Sequence, residues 1–340
     1  MITVYSPAHA LHHGRGELLD GRFVPAVERP RRAEVILRHL QEAKLGEIRE
    51  PHDFGLDSVR RVHDRSFLDF LASAFERWQG EGKEGDALPL NWPARLPHPV
   101  KPQSVEGQLG YYAFDAATPI TAGSWQAALS AAHVALTAQR HIAGGAESAF
   151  ALCRPPGHHA AQDLYGGYCF LNNAAIAAQA FADAGARVAI LDVDYHHGNG
   201  TQAIFYRRNE VLFVSLHADP AHDFPYFWGH AAERGDGAGE GFNLNLPLPL
   251  GTSWQPYAEA LRLALARVEA FSPDVLVVSL GLDTFENDPI SSFRLATGDY
   301  LKLGRTLAGL HVPTLFVMEG GYALEALGEN VVNVLTGFVS

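Results

Sequence analysis

The residues of this chain best equipped for chemistry lie together in residues 187–201, RVAILDVDYHHGNGT, where an apolar strand-like run breaks into Asp192, Asp194, His196 and His197. Side chains alternate along a strand or its extended continuation, so Asp192, Asp194 and His196 are expected on one side as two carboxylates and an imidazole. A polar turn through Gly198, Asn199 and Gly200 would account for a lone Asp or His at this place. It does not account for neighbouring carboxylates, which raise each other's pKa and oppose folding unless a cation neutralises them. The stretch therefore predicts a metal site.

Asp283 follows a second apolar run, 275–280, and is the natural third ligand to Asp194 and His196. Three protein donors with an open position are the arrangement of catalytic rather than structural zinc. Two carboxylates make the set hard, so Fe²⁺, Co²⁺ and Mn²⁺ are alternatives to Zn²⁺. His158 and His159 sit on a loop after another run, where they would supply a base for water and an acid for a leaving amine. His12 and His13 repeat the doublet without strand or carboxylate context and are given no catalytic role. Tyr322 follows Gly320 and Gly321, which permit a tight backbone path and leave the phenol free to enter a cleft. As a donor to a developing oxyanion it would contribute about 3 kcal/mol; taken alone, such a tyrosine is more often a core or surface residue.

These residues need a scaffold, and the apolar pattern describes one. Runs rich in β-branched residues recur at 2–5, 149–153, 188–193, 211–216, 275–280 and 314–318, separated by segments of helical spacing such as 173–184 and 257–271. Alternation of buried strands with helices predicts a parallel sheet covered on both faces. Ligands of open parallel sheets bind beyond the carboxyl ends of the strands. Five runs are followed by polar or glycine-rich segments: 154–159, 192–197, 217–220, 281–283 and 319–322. These ends are expected to converge on one site. Residues 76–105, rich in glycine and proline, break the pattern and read either as a surface insertion or as an interface or lid.

Composition narrows the classes. The 340 residues, 47% of them hydrophobic, contain no Ser-rich, Pro-rich or like-charge linker, which favours one large α/β domain. No apolar stretch reaches the roughly 18 residues a membrane span needs. A net charge of −12 argues against a nucleic-acid surface and suits a small cationic ligand drawn to an acidic mouth, although it also serves solubility. The start lacks a basic region followed by an apolar one, and the only cysteines are Cys153 and Cys169. Both features predict a cytoplasmic protein.

The ordered set RPPGHH (154–159), GGYCFLNNAA (166–175), LDVDYHHGNGTQ (191–202), SLH (215–217), SLGLDTFENDP (279–289) and EGGY (319–322) resembles the zinc-dependent histone deacetylase family of the arginase/deacetylase superfamily. The likeness extends over most of the chain. Within that family it is greatest to the bacterial acetylpolyamine amidohydrolases, with VEGQLGYY (105–112) and the segment from Asp219-Pro220 to Phe224-Pro225 as further points. The resemblance implies a single-domain arginase-like α/β fold over residues 1–340, with a central eight-stranded parallel sheet and helices on both faces. It implies hydrolysis of an acetylated amine to acetate and free amine.

On the same resemblance, Asp194, His196 and Asp283 hold Zn²⁺, His159 is the general base, and His158 is its electrostatic partner or proton carrier. Tyr322 bonds the acetyl carbonyl and then the oxyanion, Asp192 orients His158, and Asn199 stands beside His159. Some relatives carry Asp at the Asn199 position, and an amide stabilises an imidazolium less than a carboxylate does. A structural K⁺ is implied near Asp192, Asp194, His196, Ser215 and Leu216. Arginases hold two Mn²⁺ with an additional Asp where this chain has Phe285, so a single-metal site is expected. Gly167, Tyr168 and Phe224 line a narrow channel for the methylenes, and Glu106 meets a distal ammonium. The segment 76–105 is implied in homodimer formation and in narrowing the entrance. Relatives with an acidic residue near the position of Ala117 favour long polyamines; its absence here leaves acetylated diamines, acetylputrescine or acetylcadaverine, as equal candidates. An acetyllysine protein deacetylase and a non-hydrolytic metal-containing acetylamine-binding protein are the competing readings.

Overall fold

The computed structural model describes residues 1–19, 21–93 and 99–340. In chain order the strands are β1 (Ile2–Val4), β2 (Glu17–Leu19), β3 (Arg22–Val24), β4 (Ile48–Arg49), β5 (Ser148–Ala151), β6 (Val188–Asp192), β7 (Val211–Ala218), β8 (Asn243–Leu248), β9 (Val275–Leu280) and β10 (Thr314–Met318). The helices are α1 (Arg31–Ala43), α2 (Asp57–Arg60), α3 (Arg65–Gly80), α4 (Val105–Tyr112), α5 (Ser124–Ala143), α6 (Asn173–Asp183), α7 (Asn199–Phe205), α8 (Trp254–Phe271), α9 (Thr297–Ala308) and α10 (Leu324–Val339). Eight strands form one parallel sheet in the order β4-β1-β5-β10-β9-β6-β7-β8, and β2 pairs with β3 as a separate antiparallel hairpin. The expected eight-stranded α/β architecture is the observed one.

Strand alternation divides the core into two layers. Val188, Ile190, Val211, Phe213, Val275, Val277, Leu315 and Val317 face α3, α5 and α6 on one side. Ala189, Leu191, Leu212, Val214, Leu276, Val278, Leu280 and Phe316 face α1, α8, α9 and α10 on the other. Each face is covered, so the central strands are apolar throughout rather than amphipathic. Burying a Val, Leu or Ile side chain contributes about 1.5–3 kcal/mol, which makes these strands rigid supports for the loops at their carboxyl ends.

All six apolar runs become strands, and the two segments read as helical become α6 and α8. Two members of the sheet escaped the pattern. β4 is two residues long, and β8 alternates Asn243, Asn245 and Pro247 with leucines at the sheet edge beside β7. Edge positions tolerate proline because no outer neighbour needs its amide.

Topology explains where a site can form. From β6 the chain steps outward to β7 and β8, whereas from β9 it steps the other way to β10, so the connections that leave the parallel neighbours β6 and β9 run in opposite directions. Such a divergence opens a crevice at the end of the sheet.

A buried ion cluster ties three segments around that crevice. Glu28 accepts Arg154 Nε and Nη2 at 2.8 and 2.9 Å and Arg32 Nη1 at 3.0 Å. Arg154 Nη1 also donates to the carbonyls of His9 and His12, and Arg32 donates to those of Gly321 and Glu319, both at 2.6 Å. All three charged residues are buried. His12 packs structurally, its Nδ1 2.8 Å from Ser124 Oγ, in keeping with its exclusion from catalysis. Both cysteines are free and buried, and among the described residues no helix is long and apolar enough to cross a membrane.

Burial alone would raise the Glu28 carboxyl, but Arg154 and Arg32 outweigh it and hold the group at about 2, against an ordinary 4.5. Burial lowers Arg154 as well, yet a guanidinium starts so high that it stays charged. A carboxyl depressed by folding contributes stability above its unfolded pKa, and the contribution is lost as pH falls from about 4.5 through about 2. Glu28→Gln, which strands two buried guanidiniums, is expected to lower unfolding free energy by about 3–5 kcal/mol at neutral pH. Denaturant titrations across pH should show the gap from the wild type narrowing below about pH 4.5; a constant gap would remove the cluster from the stability account.

Candidate active site

Asp194 and His196 lie just past β6, and Asp283 lies just past β9, so the crevice at the carboxyl ends of these paired strands brings them together. Their ligand atoms lie within 4.8 Å of one another. His196 Nδ1 is 3.1 Å from Asp283 Oδ2 and 3.4 Å from Asp194 Oδ1. Backbone amides anchor the carboxylates: Tyr195 N donates to Asp283 Oδ1 at 2.9 Å, and Gly320 N to Asp194 Oδ2 at 2.9 Å. A β-carbon on Gly320 would fall 2.4 Å from Asp283 Oδ2, and one on Gly281 would fall 2.0 Å from Asp194 Oδ2. These two positions admit only glycine.

The trio expected from simple alternation is divided. β6 ends at Asp192, and the chain then turns, so Asp192 leaves the other two and accepts from His158 Nδ1 at 2.9 Å. It lies against His158 and outside the group formed by Asp194, His196 and Asp283. His159 Nδ1 lies 2.6 Å from Asn199 Oδ1, which puts its proton on Nδ1 and leaves the Nε2 lone pair free. The two imidazoles sit 4.0 Å apart, centroid to centroid.

Their environments push them to opposite states. Burial alone would lower His158, but Asp194 and Asp192 override it and raise the ring to about 10. His159 is driven well below its ordinary value by burial and by the neighbouring His158 and His196. One cationic and one neutral imidazole side by side form an acid and base pair. Burial raises the Tyr322 phenol well above its usual pKa, so it stays a proton donor. Its backbone N–H is fixed on Asp288 Oδ2 at 2.7 Å, and its ring stacks against the Arg32 guanidinium at 4.6 Å.

A cavity of about 360 Å³ opens onto this centre, lined by His158, His159, Asp194, His196 and Tyr322 at its base and by Gly167, Tyr168 and Phe224 along its walls. A β-carbon on Gly167 would fall 2.2 Å from the His159 ring, which is the reason for glycine there. Phe224 stands edge-on to His159 at 5.2 Å, and Tyr168 edge-on to Tyr322 at 5.6 Å. Four of the five expected strand ends meet here. The fifth turns away: His217 bonds Ser215 Oγ and the Gly229 carbonyl at 2.7 and 2.8 Å, and only the downstream Asp223, Phe224 and Tyr226 reach the cavity. Ser215 and Asp192 are register partners across β7 and β6, and Leu216 follows. Glu106 stands apart from the cavity lining, because the first turn of α4 aims it at Lys83 Nζ, 2.5 Å away. The expected ammonium contact is therefore not prepared within one chain. Part of the insertion at 76–105 falls on residues 94–98, outside the described residues.

Residues 26–338 match the model of the histone deacetylase domain. The chain belongs to the histone deacetylase family. Acetylpolyamine amidohydrolase 2 of Pseudomonas aeruginosa is 56% identical over 339 residues, which cover 99% of this chain and 98% of that protein. The acetylpolyamine amidohydrolase of Mycoplana ramosa is 50% identical over 338 residues, 99% of each. A crystal structure of acetylpolyamine aminohydrolase from Burkholderia pseudomallei superposes with a TM-score of 0.95 at 40% identity, covering 100% of this chain and 99% of that one.

Members of the histone deacetylase family are generally metal-dependent, and the donor set here fits a metal. Burial and Asp194 raise the Asp283 carboxyl to about 6, a like-charge penalty that a bound cation would relieve. Several residues shaping the site carried no sequence signal. Asp115 accepts the amides of Gly167 and Ala117 at 2.5 and 3.0 Å, and Thr118 Oγ1 accepts that of Tyr168 at 2.9 Å, which together brace the channel wall. Asp288 and Glu319 stand inside the motifs SLGLDTFENDP and EGGY, but their type and spacing alone assign them no role.

Chelator-stripped protein is expected to take up one equivalent of divalent metal per chain, and Asp283→Ala none, by calorimetric titration. At a metal concentration 100-fold above Kd, the melting transition should reflect about 3 kcal/mol of added stability. Two equivalents, or undiminished uptake by the variant, would overturn the trio.

Proposed function

We propose that this chain hydrolyses acetylated diamines or polyamines to acetate and the free amine. The observation that carries the reading is one narrow cavity whose base holds Asp194 and His196 of the donor trio, a neutral beside a cationic histidine and a buried phenol, between two aromatic walls. The names of the similar relatives support the substrate class. Among its described lining residues the cavity has Asp115, Asp194 and Asp223 and no Lys or Arg, which favours a cationic ligand.

Asp194, His196 and Asp283 would hold the metal, with Zn²⁺ the first choice and Fe²⁺ or Co²⁺ as alternatives. When bound, such an ion supplies Lewis acidity to the substrate carbonyl and lowers the pKa of water. His159, with Nδ1 committed to Asn199, accepts a proton at Nε2 from the attacking water. His158, held cationic by Asp192, supports the developing negative charge and is placed to return a proton to the departing amine. The Tyr322 hydroxyl donates to the carbonyl oxygen as its charge grows. Tyr168 and Phe224 exclude water and grip methylenes, which restricts the channel to slender chains. The same reading extends to a structural K⁺ near Asp192, Asp194, His196, Ser215 and Leu216, and to a homodimer through 76–105, where Leu90, Trp92 and Val100 are exposed.

Acetate release from acetylputrescine, acetylcadaverine, acetylspermidine, acetylspermine, a neutral acetylalkylamine and an acetyllysine peptide tests the proposal. Small cationic amines should be processed best; preference for the peptide would move the activity to protein deacetylation, and binding without release would make it a binding protein. Tyr322→Phe is expected to lower kcat about 100- to 1,000-fold, and His159→Ala by about 100- to 10,000-fold, with melting temperatures near the wild type. Undiminished turnover in both would refute the mechanism.

A further inference from the structure

Glu319 is fully buried at the end of β10, and the proposed mechanism leaves it without work. Its hydrogen bonds reach the His158 loop, β9 and Arg32. Glu319 Oε2 accepts the backbone amides of Gly157 and His158 at 2.6 and 3.1 Å, and Oε1 accepts Ser279 Oγ at 3.3 Å. Its own amide donates to the Leu280 carbonyl at 3.0 Å, and its carbonyl accepts Arg32 Nη2 at 2.6 Å. The next residue, Gly320, donates to Asp194, and Tyr322 lies three positions on.

We infer that Glu319 is a positioning residue for the proposed hydrolysis, on which this role rests: its carboxylate fixes the His158-His159 loop at a set distance from the strand that delivers Tyr322. The loop after β5 and the loop after β10 belong to neighbouring strands, but strand pairing stops at Val317 with Ala151, before either catalytic segment begins. Beyond that point the two paths need a tie, and two amides converging on one carboxylate oxygen supply it. The amides of Gly157 and His158 are buried, so loss of their acceptor leaves donors that the loop can satisfy only by moving. Displacement of about 1 Å in a catalytic group is enough to lower turnover about 100-fold.

The role is one of reach and acceptor geometry, and the conservative variants separate these from charge. Glu319→Gln keeps the length and a carbonyl oxygen for the two amides, and its NH₂ can donate to Ser279 Oγ. Glu319→Asp keeps the charge but withdraws the acceptor by about one C–C bond, roughly 1.5 Å. Per mole of folded, metal-loaded protein, Glu319→Asp is expected to lose about 100-fold in kcat with KM little changed, while Glu319→Gln stays within about threefold of the wild type. A purely structural role would lower the melting temperature without that split between kcat and KM. Wild-type kcat in Glu319→Asp, or equal loss in both variants, would overturn the inference.

Crystal structures of the two variants give a reading that needs no turnover. The 2.9 Å bond between His158 Nδ1 and Asp192 should persist in Glu319→Gln, and the loop should shift in Glu319→Asp. An unmoved loop in Glu319→Asp would refute the positioning role, whereas a wild type inert toward acetylated amines would refute the proposed function and leave this structural test standing.

Discussion

Two carboxylates and an imidazole buried together beyond the carboxyl ends of β6 and β9 are the constraint around which the rest of this molecule is arranged. Like charges in a water-excluded crevice repel, and the surroundings are built to hold them there. Amides of Tyr195 and Gly320 hydrogen-bond the carboxylates, and Gly281 and Gly320 leave room where any side chain would collide. A cation would complete that arrangement, because it would remove the repulsion that the protein's own groups only moderate.

Charge elsewhere in the interior is likewise disposed in matched sets. Asp192 and Asp194 keep His158 cationic, and the cationic ring then helps keep His159 neutral a few ångströms away. The two histidines are adjacent in sequence and chemically opposite because Asp194 and Asp192 outweigh burial at His158, whereas burial and the neighbouring rings of His158 and His196 prevail at His159. Farther out, Glu28 pairs with both Arg32 and Arg154, and these two arginines spend their remaining donors on carbonyls of the N-terminal segment and of the loop that carries Tyr322. Stability and site geometry thus share the same buried ions.

The central strands were legible because each is buried on both faces and therefore apolar along its whole length. β4 and β8 were not, since edge strands relax that demand: one is too short to register, and the other mixes asparagine and proline with leucine. The donor residues were legible in type but not in grouping. Alternation joined Asp192 to Asp194 and His196, whereas the end of β6 at Asp192 lets the chain turn and exchange Asp192 for Asp283. The setting of Glu106 was hidden for a related reason. Its neighbourhood is set by Lys83, just past the end of a helix well before it in sequence.

By itself the sequence determined which elements exist and which residue types stand at their ends, because periodicity and polarity are local properties of a chain. It carried the donor trio, the histidine pair and Tyr322 as candidates at the ends of separate runs. Only the tertiary structure shows Asp194 and Asp283 gathered around His196 while Asp192 accepts from His158. It also decided that His158 and His159 carry different charges, and that Asp115, Asp288, Arg32 and Glu319 hold the loops in place. Those outcomes depend on distances across the sheet and on burial, which arise from strand order and packing and leave no trace in local sequence spacing.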